Sequence, residues 1–519
     1  MAQRKSPRRI QKQQRVAAIR SKPHQAFAQL GAPREAIEHL ESCIVGCVVL
    51  PGDPDYDKDR LESNPVFQAF PQVIVYCEVT SDIECCLSVA ISYGTPIAIR
   101  SGGHSTAGYS VNNGIVIDVS LLNGISINST AMTATVGPGV DFDRFNAALS
   151  AAGLHVPTGA CGNVCVGGFM QGGGFGYTSR NFGMNCDNVT EVVVMLWNGG
   201  TVRANATQNE DLFWAVRGGT GGNFGVLVEV TYALQPLASV WAYAIQWDIS
   251  QAAVVLLELQ ANYARSGAPP QLGYMMNVGF NDTTPVAMIQ GMYCGSADDG
   301  KQAIASLLAI PTAQLLVDQT GTYGDMDKYL DDNPYPMPNP TGIYEDKICG
   351  YVNSPLSLSD WQAIVDQVLL GPGTNCVLYT EPYGGAINAF PADGNAFVHR
   401  DVDMNIVLDA FWTDPAGKIA AEQWLFGFQQ LMEPYFCEEV YQNYPRASYE
   451  QFRMLYWGTA FFTLLDVKRK YDPNNIFRYE QSISPYPEGA KRPAASASPR
   501  FAERPIVYEL PPKPSKKKP

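Results

Sequence analysis

The chain has 519 residues, 46% of them hydrophobic and 17% charged, a balance that fills a large core and excludes a disordered protein. Its formal net charge of −14 argues against nucleic acid as a partner, because binding phosphates needs a basic surface. No apolar run reaches the ~18 residues that cross a bilayer, and polar residues interrupt everything before Ile44, so no membrane span, no secretory leader and an intracellular location are expected.

Residues 1–41 read as a basic lead-in ending in a helix. Arg4, Lys5, Arg8, Arg9, Lys12, Arg15 and Arg20 carry no acid among them and predict a solvated tail. From Pro71 strands and helices alternate. Val73–Tyr76 reads as a strand, Ile83–Tyr93 as an amphipathic helix, and Pro96–Ile99 as a strand that delivers a loop at 100–105. Gly114–Val119, Thr133–Val136 and Val192–Trp197 are further short strands, Phe142–Ala152 is a helix, and Val226–Leu234 closes the region. Past Gln235 longer strands appear at Tyr243–Trp247, Gly273–Phe280 and Ala287–Tyr293, with helices at Ala252–Arg265 and Lys301–Ala309. This pattern fits one broad antiparallel sheet backed by helices. Asn333–Pro340 reads as a loop. The Pro-, Ser- and Ala-rich stretch after Pro485, ending in Lys513 and Lys516–Lys518, reads as a disordered tail.

Twelve cysteines are scattered, with Cys85 and Cys86 adjacent, and read as mostly buried reduced thiols. The four N-x-[ST] triplets, at Asn128, Asn188, Asn205 and Asn281, read as accidental.

Two glycine-rich segments carry the chemistry. One is Arg100-Ser101-Gly102-Gly103-His104-Ser105; the other runs from Gly159 through Cys161, Val164, Gly167 and Gly168 to Gly176. Glycine lets backbone approach a flat or phosphorylated ligand closely. There is no G-x-x-x-x-G-K-[ST] string, and Gly172–Gly176 lacks a convincing Rossmann context. One histidine and one cysteine among these glycines are side chains able to bond to an electrophilic cofactor, which suggests a flavin held at two points.

Several motifs then recur in order from Cys47 to Ser484. They include Val136-Gly137-Pro138-Gly139, Asp187-Asn188-Val189, Asp211-Leu212-Phe213-Trp214, Gly222-Asn223-Phe224-Gly225, Glu381-Pro382-Tyr383-Gly384-Gly385 and Tyr471-Asp472-Pro473-Asn474-Asn475. On these the chain resembles the berberine bridge enzyme-like FAD-linked oxidases of the vanillyl-alcohol oxidase/PCMH superfamily. The resemblance implies an α+β fold: a PCMH-type FAD-binding domain over 42–236 and a substrate domain with a large antiparallel sheet over 237–440. A berberine bridge-like segment over 441–486 would pack back on the FAD domain, and 487–519 would form the tail.

It also implies FAD bound bicovalently through His104 and Cys161. Arg100, Ser101, Gly102, Gly103 and Ser105 would meet the pyrophosphate, with Gly167, Gly168, Gly225 and Val226 around the cofactor and Asn475 and Gln481 near its ring system. Valine at 164 is the oxidase choice at the position that gates oxygen. Two departures stand out: Cys165, where the family has glycine, and Phe169, where many relatives have histidine. Within Tyr441-Gln442-Asn443-Tyr444 the implied base is Tyr444, assisted by Tyr441 and Glu381, with Tyr379, Tyr109 and Thr106 lining the pocket. A tyrosine with an ordinary pKa near ~10 needs cationic neighbours to act as a base. The function implied is an oxidase that removes hydride from an alcohol or amine C–H of a carbohydrate or secondary metabolite, with O2 as co-substrate. A flavin-containing cyclase without net redox is the alternative, and a flavin carrier without turnover a third reading.

Overall fold

The computed structural model describes residues 9–21, 33–265, 267–281, 283–333, 343–373 and 376–486; the expected loop at 333–340, beyond Asn333 itself, and the tail after 486 lie outside them. Everything discussed below belongs to the compact unit ending at Pro485.

Four short strands open the fold: β1 (Cys47–Val49), β2 (Val73–Tyr76), β3 (Ile97–Arg100) and β4 (Ile115–Asp118). They form one sheet in the order β1-β2-β4-β3, with β2, β4 and β3 parallel. The crossover helix between β2 and β3 spans Thr80–Tyr93, starting before the first apolar residue, Ile83. The cause is Asp82, whose carboxylate accepts from the backbone N–H groups of Val45, Gly46 and Glu78 at 2.7–3.0 Å and so organises the helix start. The helix stops at Gly94, where φ is 67°.

The chain continues through β5 (Ile125–Asn128), β6 (Thr133–Val136), the two-residue β7 (Leu154–His155), β8 (Val189–Met195), β9 (Thr201–Asn205), β10 (Val226–Ala233) and β11 (Gln235–Pro236). β5-β6-β10-β8-β9 make an antiparallel sheet, and β7 pairs with β11. The remaining strands are β12 (Val240–Asp248), β13 (Leu272–Asn281), β14 (Thr284–Tyr293), β15 (Gln314–Gly321), β16 (Tyr344–Val352), β17 (Val377–Pro382) and β18 (Met404–Trp412). They build one seven-stranded antiparallel sheet, ordered β15-β12-β14-β13-β17-β18-β16. Helices Ala252–Asn262, Leu358–Leu369 and Pro415–Met432 bury their apolar stripes, including Leu256, Trp361, Ile364, Leu425 and Phe428, in a common core with this sheet. The α+β class and the broad antiparallel sheet are as expected. The helix expected over Lys301–Ala309 is two short pieces, Ala297–Ala303 and Ala305–Leu308.

One expectation needs correction. The basic stretch is docked where it is described: residues 9–21 are helical, Arg15 pairs with Glu41 at 3.2 Å and Arg20 with Glu38 at 2.8 Å. The two acids stand on helix Arg34–Cys43; Arg15 meets buried Glu41, while the Arg20–Glu38 pair stays at the surface. The cysteines are mostly free and largely buried, Cys86 among them, and Cys43 and Cys85 form the one disulfide among the described residues, with 6.5 Å between Cα atoms. Asn188 is only 7% exposed and its amide donates to Phe182 O and Met184 O, which takes that triplet out of reach of glycosylation. Among the described residues no helix is long and apolar enough to cross a membrane.

Candidate active site

A cavity of about 1110 Å³ is lined by both glycine-rich segments, by one face of the seven-stranded sheet and by residues 441–445. Its two walls are built differently.

The first wall is backbone. β3 ends at Arg100 and releases the loop 101–106 into the cavity. Arg100 itself does not line the cavity: its guanidinium is buried, bonded to Asp118 Oδ2 at 2.6 Å on neighbouring β4 and to Asp59 O at 2.7 Å. It braces the loop base. Ser101, Gly102, Gly103, His104 and Ser105 all face the cavity, and none of the backbone N–H groups of residues 101–106 has a partner among the described residues. A run of unspent N–H groups beside a large cavity suits an anionic group such as a pyrophosphate.

Cys161, Val164, Gly167, Gly168 and Gly225 also line the cavity, and the segment carrying Cys165 and Gly167 packs against the loop at Ser101 and Gly102. A Cβ on Gly168 would meet nothing within 4 Å, so backbone there is open to a ligand. Val226 is fully buried in β10, one residue behind Gly225, and Asn475 occupies a turn with φ of 50° off the lining. Gln481 does line the cavity, but its amide is spent: it accepts from Tyr456 OH at 2.8 Å and donates to Arg446 O at 2.7 Å.

Burial pushes the His104 imidazole below its ordinary pKa, favouring the neutral ring with a free lone pair. The Cys161 sulfur is accessible, though to the cavity; burial there and nearby Asp331 push its thiol up to about 12, with Lys347 opposing them. Cys165 is buried, donates weakly to Gly139 O at 3.7 Å, and sits so close to Gly102 that a Cβ there would press on it. Phe169 packs edge-on against Phe142 with ring centroids 4.7 Å apart, and its ring occupies space that a Cβ at Gly159 or Gly174 would need.

The second wall is side chains. Side chains two residues apart on a strand share a face. The register pairs Lys347 on β16 with Asp409 on β18, Glu381 on β17 with Asn405 on β18, Tyr379 with Asn277 on β13, and Met275 with Gln290 on β14. Five strands therefore contribute polar groups to one surface. Lys347 Nζ bonds Glu345 at 2.5 Å and Asp409 at 2.9 Å. Burial alone would push Lys347 down, but the two carboxylates outweigh it and hold the ammonium charged. Gln290 donates to Tyr177 OH at 2.8 Å, and its Oε1 has no partner among the described residues.

Residues 441–445 cross this wall. Tyr444 OH donates to Glu381 Oε1 at 2.6 Å, and Asn405 Nδ2 donates to the other oxygen at 2.9 Å. Lys347 Nζ lies 5.2 Å from the Tyr444 ring centroid. Burial, then the Glu381 charge, raise Tyr444 well above the ordinary phenol value, so its proton stays on in the resting site. Burial likewise raises Glu381. The Tyr441 oxygen differs: it accepts from Gly174 N–H at 3.0 Å, Phe175 N–H at 3.2 Å and Asn443 Nδ2 at 3.1 Å. Tyr379, Tyr109 and Thr106 also line the cavity. Sequence reasoning missed Lys347, Asn405 and Gln290. For Lys347 a signal existed: Glu345-x-Lys347 puts an acid and a base on one face of a strand.

The chain matches the family described as FAD binding domain over residues 71–205 and the one described as berberine and berberine like over 440–484. It is 29% identical over 452 residues to an uncharacterised FAD-linked oxidoreductase of Bacillus subtilis, covering 85% of this chain and 98% of the relative. To the berberine bridge enzyme-like protein Cyn d 4 of Cynodon dactylon it is 28% identical over 461 residues, 80% of this chain and 84% of that one. The solved structure of Physcomitrella patens BBE-like 1 superposes with a TM-score of 0.78 at 25% identity, covering 86% of this chain and 99% of that chain. With a cavity whose backbone wall suits FAD, these matches make the chain similar over most of its length to berberine bridge enzyme-like FAD-linked oxidoreductases, with an FAD binding domain and a berberine-like C-terminal segment.

Proposed function

We propose that the protein is an oxidase whose FAD is tethered through His104 and Cys161, acting on an alcohol or amine of a carbohydrate or secondary metabolite and forming H2O2. The observation that carries this reading is the Tyr444–Glu381 pair, set in the same cavity as the two candidate tethers. FAD held by the 101–106 loop, His104 and Cys161 would supply two-electron redox chemistry between the substrate carbon and O2. The chain's own residues manage the proton. Tyr444 O accepts the proton of the substrate hydroxyl while its own proton passes along the 2.6 Å hydrogen bond to Glu381 Oε1. Glu381 is prepared to receive it, because burial raises its affinity for a proton and Asn405 fixes its second oxygen. Lys347, facing the Tyr444 ring, stabilises negative charge on the phenol during transfer. Val164, half-buried on the cavity wall, leaves room for O2.

A second assignment of the base has its own support. Three N–H donors converge on the Tyr441 oxygen, an arrangement that stabilises a phenolate in the manner of an oxyanion hole.

Intact mass of acid-precipitated protein, followed by peptide mapping, tests the tethers. One FAD on both the His104 and Cys161 peptides supports the reading; loss of all FAD to the supernatant removes it. Peroxide release is then measured with a panel of sugars, benzylic alcohols and amines. Product formation without oxygen uptake would favour the non-redox cyclase, the reading to which Phe169, a ring without a hydrogen-bond donor, lends weight.

A further inference from the structure

His399 is fully buried and takes no part in the chemistry above. Its Nδ1 lies 2.6 Å from Glu439 Oε2 and its Nε2 lies 3.0 Å from Gln442 Oε1. The orientation of the Gln442 amide follows from its other end. Its Nε2 donates to the carbonyl of Gly218 at 2.9 Å, and a carbonyl can only accept. The Gln442 oxygen therefore faces His399, and the ring Nε2 must carry a proton. Nδ1 faces a second acceptor. A neutral imidazole has one N–H and cannot serve both. Glu439 is 35% exposed, and an Nδ1–H donated to its carboxyl oxygen makes the 2.6 Å contact a charge-assisted hydrogen bond that offsets the cost of a buried charge.

We infer that His399 is a doubly protonated imidazolium, paired with Glu439, whose charge clamps Gln442 and sets the Tyr441–Tyr444 segment against the backbone wall of the flavin site. The clamp continues from residue to residue. Gly218 N–H donates to Gln171 O at 3.0 Å, and Gln171 Nε2 donates to Gly167 O at 2.6 Å. Gln442, Gln171 and Gly167 all line the cavity. The surroundings suit a cation. The Tyr351 and Phe397 rings lie 4.7 and 5.1 Å from the imidazole. The Tyr351 hydroxyl is engaged with Tyr383 OH at 2.7 Å, and neighbouring Arg400 is committed to both oxygens of Asp187. Glu439 is thus the counter-charge that directly meets the ring. His399 is a positioning residue: its relevance to catalysis rests on the role proposed for Tyr441 and Tyr444, whereas its charge and its clamp do not.

The test is ¹⁵N NMR of the full-length holoprotein labelled at histidine, of which the chain has 5. At pH 7 one buried ring is expected to show both nitrogens protonated. Glu439→Gln, which keeps the shape and removes the charge, should return that same ring to a single proton, and this response assigns it to His399. The same variant should speed amide hydrogen exchange over residues 440–445 by about tenfold, the gap between a charge-assisted and a neutral hydrogen bond. A histidine that merely fills space would give neither response. The inference is overturned if every buried ring of the wild-type protein keeps one bare nitrogen, or if Glu439→Gln leaves both the ring signals and the exchange unchanged. Neither readout depends on turnover, so failure here and failure of the oxidase reading are separable.

Discussion

The two walls of the cavity were made from one chain by opposite means. The flavin-side wall is contiguous backbone: residues 101–106 offer N–H groups and Gly168 leaves open space, with His104 and Cys161 the side chains set among them. The sheet-side wall is scattered side chains, Gln290, Asn277, Glu381, Asn405 and Lys347, brought from five strands by register. The comparison teaches that the first wall depends on backbone shape, since a Cβ at Gly102 or Gly167 would press on Cys165 or Pro138, while the second depends on each group it presents. Substitutions on one wall should therefore leave the other's readout alone.

The largest effect is expected at the tethers. His104→Ala combined with Cys161→Ala should abolish acid-stable flavin, read by intact mass, while Tyr444→Phe retains the wild-type flavin content. On the opposite wall, Tyr444→Phe and Glu381→Gln should each lower the rate of peroxide release by about 10²–10⁴-fold, the usual worth of a positioned acid or base. If Tyr441→Phe proves the more damaging change, the three N–H donors on its oxygen mark the true base and the Tyr444–Glu381 pair is secondary.

A third test compares the walls by pH. Glu62, buried beside the 101–106 loop near Ser110 and Arg100, has its carboxyl pushed up to about 8 by burial. Its folded-state value thus exceeds its unfolded one, and the folded protein binds the extra proton. Glu62 is therefore neutral in its effect below about pH 4.5 and costs stability progressively as pH rises to 8. At about 1.4 kcal/mol per tenfold change in proton concentration, the cost reaches roughly 4–5 kcal/mol at most. Glu62→Gln should flatten the fall of Tm between pH 5 and 8, and an unchanged slope would remove Glu62 as its cause. The smallest effect is expected at Val164→Ile, which should slow reoxidation by O2 several-fold without slowing anaerobic flavin reduction, followed by stopped-flow absorbance.

Local chemistry was legible where it is local. The strand Val73–Tyr76 and the helix beginning at Phe142 stand where alternation and capping by Asp141 place them. Helix Thr80–Tyr93 begins earlier than its apolar pattern because Asp82 draws in N–H groups from residues 45 and 46, a contact across 37 residues that periodicity cannot register. What the Arg100 and Gln481 side chains bond to was hidden from the sequence for a related reason. Arg, Gln and Asn side chains can serve a cofactor or the protein equally well, and only their partners, Asp118 for one and Arg446 O for the other, reveal which.

The sequence by itself determined the family resemblance, the α+β class, the two glycine-rich loops and the histidine and cysteine set among them, because consecutive residues encode a backbone wall directly. Tertiary structure alone decided the sheet-side wall, the Glu345–Lys347–Asp409 ion cluster, the disulfide between Cys43 and Cys85, and the placement of His399 between Glu439 and Gln442. These depend on strand register and helix packing between residues tens of positions apart. A one-residue slip would turn each strand's polar groups to the opposite face of the sheet.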